Sequence, residues 1–135
     1  MRHLTLIFLL CLTSGCATTS THQFATPAID WQSKAGQLAY KGPKVSLIGE
    51  VLVRYSKAGN FELTFTKGPG VKLLALRQDA TFGRAEGPLA RGSWSGPTAN
   101  APARLRGWFS LRDKIMAGGS TVRATSGAES FTIRF

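Results

Sequence analysis

Val45-Ser46-Leu47-Ile48-Gly49-Glu50-Val51-Leu52-Val53-Arg54-Tyr55 is the stretch that decides the fold. Val45, Leu47, Val51, Val53 and Tyr55 fall on one side of an extended strand, and Ser46, Glu50 and Arg54 fall on the other. That period of two marks a half-buried β-strand. Gly49 breaks the apolar side and predicts a bend or bulge in a curved sheet. Upstream, Gln37 to Tyr40 predicts a short strand, closed by the Gly42-Pro43 turn. Downstream, Lys57-Ala58-Gly59-Asn60 predicts a hairpin turn, after which Phe61, Leu63 and Phe65 alternate with Glu62, Thr64 and Thr66. Lys67-Gly68-Pro69-Gly70 turns the chain again, into a strand over Val71 to Arg77. Thr81 to Glu86 and Leu89 to Trp94 predict two weaker strands around Gly87-Pro88. Thr121 to Thr125 and Glu129 to Phe135 predict a last pair, joined at Ser126-Gly127. Connections this short imply antiparallel pairing, since a parallel crossover takes about a dozen residues or more.

The period changes once. After the loop Ser95 to Pro102, residues 103–116 place Leu105, Trp108, Phe109, Leu111, Ile115 and Met116 within one arc at about 100° per residue. Arg106, Ser110, Asp113 and Lys114 lie opposite, and Gly118-Gly119 ends the helix. The expected fold is mainly β (α+β): a strongly curved antiparallel sheet with one amphipathic helix packed on its concave face. Arg112 is the odd residue, a cation inside the apolar arc. It reads either as a snorkelling side chain or as a charge at a pocket mouth.

The N-terminus says where such a domain would work. Arg2 and His3 precede an apolar run from Leu4 to Leu12, followed by Thr13-Ser14-Gly15-Cys16. A charged start, a short apolar core and small residues at its end make a secretory signal peptide over residues 1–15. The run is too short to span about 30 Å of hydrocarbon. Ala17 to Pro27 is small, polar and Thr-rich, which predicts a flexible tether. Ala28 to Gln32 predicts the start of a short helix, so residues 16–35 form the tether and N-terminal segment and residues 36–135 the β domain. Without residues 1–15 the chain keeps 120 of its 135 residues and a net charge of +9, from sixteen basic and seven acidic side chains. The basic residues are spread from Lys34 to Arg134, so a generally basic surface and a dedicated anionic partner are both open readings. Export argues against nucleic acid.

The side chains of most catalytic sites are missing from the predicted domain. His3 and His22 lie in the leader and the tether, and Cys11 and Cys16 precede the domain. Ser-His and Cys-His nucleophilic systems therefore lack their base, and zinc or copper lacks a ligand set. Asp30, Glu50, Glu62, Asp79, Glu86, Asp113 and Glu129 are isolated in sequence, with nothing to pair two of them across a cleft. Lys67-Gly68-Pro69-Gly70 lacks the Gly-Lys-Ser/Thr ending of a phosphate loop. A non-enzymatic protein without metal or cofactor is expected. The candidate ligand contacts are Phe61, Leu63, Phe65, Leu73 and Trp108, in an apolar pocket between the helix and strands 45–55, 61–66 and 71–77. Arg112 would stand near its rim.

Two resemblances sharpen these expectations. Leu12-Thr13-Ser14-Gly15-Cys16 resembles a bacterial lipobox, which implies acylation of Cys16 (palmitate included) and a membrane anchor. Ala17 lacks the aspartate associated with inner-membrane retention, so the outer membrane is the expected location, with the protein facing the periplasm. Gly36-Gln37-Leu38-Ala39-Tyr40, Val45 to Tyr55, Asn60 to Gln78 and Leu105-Arg106-Gly107-Trp108-Phe109 together resemble the LolA/LolB family of lipoprotein-localisation proteins, over roughly residues 36–116. The resemblance implies an abbreviated half-barrel closed by a helix, binding acyl chains of lipids or lipoproteins and assisting their localisation. The alternative is a structural or interaction lipoprotein with a solid core, whose outer surface or sheet edge binds an envelope partner.

Overall fold

The computed structural model describes residues 22–135; the leader and Cys16 lie outside them. Among the described residues eight strands form one antiparallel sheet: β1 (Gln32–Lys41), β2 (Ser46–Tyr55), β3 (Phe61–Thr66), β4 (Lys72–Gln78), β5 (Phe82–Gly87), β6 (Gly92–Pro97), β7 (Thr121–Ser126) and β8 (Glu129–Arg134). One helix, α1 (Ala103–Met116), connects β6 to β7. The order across the sheet is β6-β5-β4-β3-β2-β1-β8-β7. Helix α1 therefore carries the chain from one edge strand to the other. The mainly β, antiparallel, one-helix expectation holds.

Several local expectations are corrected. Residues 28–32 form no helix: the chain turns at Ile29 and Asp30 with Trp31 N–H donating to the Ala28 carbonyl, and β1 begins at Gln32. Strand β1 is thus much longer than Gln37 to Tyr40, because β2 pairs with it from Gln32↔Tyr55 to Lys41↔Ser46. Leu89 to Trp94 is no single strand. Pro88–Ala90 makes a 3-10 turn, which suits a proline that cannot donate to a sheet ladder, and β6 starts only at Gly92. The bulge foreseen at Gly49 lies elsewhere. The β1–β2 register runs unbroken through Leu38↔Gly49, and the shift falls between β3 and β4 at Phe65 and Thr66.

The apolar arc of α1 covers one sheet face. The Trp108 ring stands 4.9 Å from Phe131, edge-on, and 5.1 and 5.7 Å from Tyr40 and Phe65. Phe109 reaches Trp94 of β6 at 5.5 Å. Gly107 permits this closeness: a Cβ there would sit 2.8 Å from the Phe131 ring. A glycine costs a helix interior about 1 kcal/mol relative to alanine, and here the close approach of helix to sheet accounts for it. Side chains then tie α1 to β4 and to two turns. Gln78 Nε2 donates to Phe109 O at 3.0 Å, Arg104 Nε to Ala90 O at 3.2 Å, and Arg112 Nη1 to Gly59 O at 3.1 Å.

The expected flexible tether is docked over its described part. The His22 ring stacks on Phe82 at 4.1 Å, with Phe24 edge-on to it at 4.9 Å. Arg77 donates to Ala25 O and lies over the Phe24 ring. His22 Nε2 lies 2.6 Å from Asp79 Oδ2, and Asp79 Oδ1 accepts the N–H groups of Thr81 and Phe82. Burial alone would raise the Asp79 carboxyl, but the Thr81 and Phe82 donors and His22 outweigh it and hold the pKa below its ordinary value. A carboxyl lowered in this way contributes stability above its unfolded pKa of about 3.9. That contribution is lost as the pH falls through the folded value. Asp79→Asn is therefore expected to flatten the decline of Tm with acidity below about pH 4. Superimposable acid limbs for the two proteins would show that the carboxylate contributes nothing.

Candidate functional site

The six residues singled out from the sequence separate in space. Phe61, Leu63, Phe65 and Trp108 come together, each at most 1% exposed, in the packed core between sheet and helix. Phe65 and Trp108 stand 5.7 Å apart, ring to ring, and all four belong to one core cluster. Leu73 stands at the margin of the group, partly buried and packed against the same core. Thr66 pairs with Lys72 and Phe65 with Leu74, so Leu73 is the extra residue of the bulge and is only half-buried. Leu74 and Leu76, opposite Phe65 and Leu63, take the inward positions. Arg112 also stands apart, paired with Asp113 at 3.0 Å and fastened to the β2–β3 turn through Gly59.

An open cleft lies at one end of the sheet. Strand alternation brings the β1–β2, β3–β4, β5–β6 and β7–β8 connections to that end. A cleft of about 560 Å³ opens there between the β1–β2 turn, the Pro88–Arg91 turn, the start of α1 and the β7–β8 turn. Its size falls in the usual range for small-molecule sites of about 300–1,000 Å³. Tyr40 forms part of its wall beside Pro43, Val45, Pro88, Leu89 and Ala103, which makes the lining mainly apolar.

Charge is distributed unevenly around this cleft. Lys44, Arg91, Arg104 and Arg106 line it, against the single carboxylate of Glu129. That carboxylate is engaged, accepting the Tyr40 hydroxyl at 2.5 Å. Burial pushes the Tyr40 phenol above its ordinary range, and the hydrogen bond to Glu129 and the charge of Glu129 act in the same direction. Tyr40 therefore stays a neutral donor at any physiological pH. Such a cleft can take an apolar chain against its wall and a negative group at its rim.

Sequence reasoning missed this site because its residues come from three separate turns and the start of α1. None of them carries a motif. The usable signal was three-dimensional: four cations scattered between Lys44 and Arg106 converge only once the strands are paired.

Among the described residues no three of His, Cys, Asp and Glu converge to hold a metal ion, and no helix is long and apolar enough to cross a membrane. The site and fold define a class: a one-sheet antiparallel domain covered by one helix, with an apolar cleft at the end where its turns gather. No known protein family matches the chain, and no curated protein matches it.

Proposed function

We propose that this chain is a lipid-anchored envelope protein, acylated at Cys16, whose half-barrel domain binds acyl chains of lipids or lipoproteins without catalysing a reaction. The observation that carries the reading is the apolar cleft beside Tyr40, Val45 and Leu89, with its volume of about 560 Å³. The cleft also supports a curled sheet. It spans from the β1–β2 turn to the β5–β6 turn, and β2 and β5 are three strand spacings of about 4.8 Å apart in the sheet order. A curled half-barrel brings such turns around one opening. An outer-membrane anchor facing the periplasm would place that opening among exported lipoproteins.

The test uses the mature chain, residues 16–135, with Cys16→Ser so that no attached acyl group competes for the cleft. A fluorescent fatty acid is expected to bind saturably at micromolar concentration. Val45→Asp, at an exposed turn position that leaves the core intact, should weaken that binding about tenfold or more, because it sets a charge in an apolar wall. Absence of saturable binding by the unsubstituted domain would overturn the reading.

One observation favours the second reading, an interaction lipoprotein. Ile48 and Leu52 are 62% and 45% exposed, on the face of β2 turned away from α1. If no fatty acid binds, that face becomes the surface to probe for an envelope partner.

A further inference from the structure

The acyl-binding reading leaves open which headgroup the chain would carry, and the rim of the cleft speaks to it. Two of its cations are pre-positioned. Arg104 donates through Nε to Ala90 O at 3.2 Å and Arg106 through Nε to Ala101 O at 3.0 Å. Each bond fixes the plane of the guanidinium and leaves its terminal nitrogens to another acceptor. Among the described residues neither arginine has an ion-pair partner, and neither do Lys44 and Arg91. Holding a donor in place before binding lowers the entropy lost when a ligand arrives.

Arg91 adds an independent observation. It closes the Pro88–Ala90 turn in the left-handed conformation, at φ 54 and ψ 48. Among the described residues it is the only one other than glycine at positive φ. Glycine or asparagine suits that conformation, and a long side chain pays for it in strain. The position nevertheless carries a cation that lines the cleft. Strain of this kind gathers where a ligand is held.

We propose that the cleft selects an anionic amphiphile, seating a phosphate or carboxylate headgroup on Lys44, Arg91, Arg104 and Arg106 while the acyl chain lies against Tyr40, Val45 and Leu89. The proposal rests on the acyl-binding reading and adds the headgroup. Charge-assisted, forked donors suit a phosphate or carboxylate. A zwitterionic headgroup brings a cation of its own to the same rim and forfeits much of the attraction. The single wall carboxylate, Glu129, is turned to Tyr40 and does not neutralise the rim.

The experiment compares two lysophospholipids of the same acyl chain on the mature Cys16→Ser domain, one with a phosphoglycerol and one with a phosphocholine headgroup. Each competes with the fluorescent fatty acid, and glycerol 3-phosphate serves as the chainless anion. The phosphoglycerol lipid is expected to bind about tenfold tighter or more, with a preference that shrinks as salt is raised. Arg91→Asn combined with Lys44→Gln should weaken binding of the phosphoglycerol lipid more than that of the phosphocholine lipid and so shrink the preference severalfold; an unchanged preference would overturn the assignment of the headgroup to these cations. Asparagine suits the left-handed position, so thermal melting should show no loss of fold from that change. Equal affinity for the two lipids would overturn the headgroup proposal and leave acyl binding standing. Competition by glycerol 3-phosphate as strong as that of the phosphoglycerol lipid would also overturn it, pointing to a soluble phosphate ester. Failure of both lipids and of the fatty acid to bind would overturn the acyl reading itself, and the headgroup with it.

Discussion

Replacing Trp108 with alanine should cost the fold about 3–5 kcal/mol, the scale for truncating a fully buried large aromatic. The ring is 1% exposed and packs against Tyr40, Phe65 and Phe131, which come from three different strands. Its loss would leave a cavity in the layer between α1 and the sheet that the neighbours, held on paired strands, cannot close. A domain of this size is typically stable by about 5–15 kcal/mol, so the variant should unfold at a much lower urea midpoint with an unchanged slope. A cost under about 1 kcal/mol, far below the core-truncation scale, would mean that the helix is not seated as described. The result also bears on function, since a ring that carries the core cannot serve as a ligand contact while the helix stays down.

Gly49→Ala is expected to destabilise by about 1–3 kcal/mol through overpacking. Alanine normally improves a strand by roughly 0.5–1 kcal/mol over glycine, so the sign of the change is informative. At this position a Cβ would clash with the Thr66 carbonyl oxygen and stand 2.7 Å from Cε1 of Phe65. The carbonyl belongs to a paired strand and cannot swing aside, and Phe65 is fully buried. Urea unfolding of the two proteins decides the matter: a gain in stability on substitution would show that β2 and β3 do not cross so closely here.

These two residues also show what the sequence discloses and what it withholds. The limits of α1 were legible because Pro102 precedes it, Gly118-Gly119 follows it, and the apolar arc between them has helical period. Strands β2 and β3 were legible from strict alternation. The first half of β1 was not, since Gln32 to Gly36 shows no apolar alternation and becomes a strand only because β2 offers it a partner. Gly49 announced a special position, but the reason for it sits across the sheet at Phe65 and Thr66. Leu73 was expected among the ligand contacts, but it is the extra residue of the bulge between β3 and β4, which nothing in the local sequence marks. Arg112 was rightly marked as unusual, while its partner, the Gly59 carbonyl, lies on a distant turn. His22 and Phe24 looked like linker because nothing nearby could hold them; Phe82, Arg77 and Asp79 do so across more than fifty residues of chain. The cleft was least legible of all, being a property of three turns and the start of α1 together.

The position of β1 has a consequence for how the domain is made. Strands β2 to β6 follow one another across the sheet, so each can be added to its predecessor as soon as it is synthesised. Strand β1 is different: it lies between β2 and β8, and its residues 37–41 pair with residues 130–134. Closing a loop of that length is slow compared with forming a local hairpin. Until β8 is made, one edge of β1 remains open, and Leu38, Tyr40 and Trp108 lack Phe131 and Ile133 as neighbours. Folding must therefore be completed after synthesis of β8.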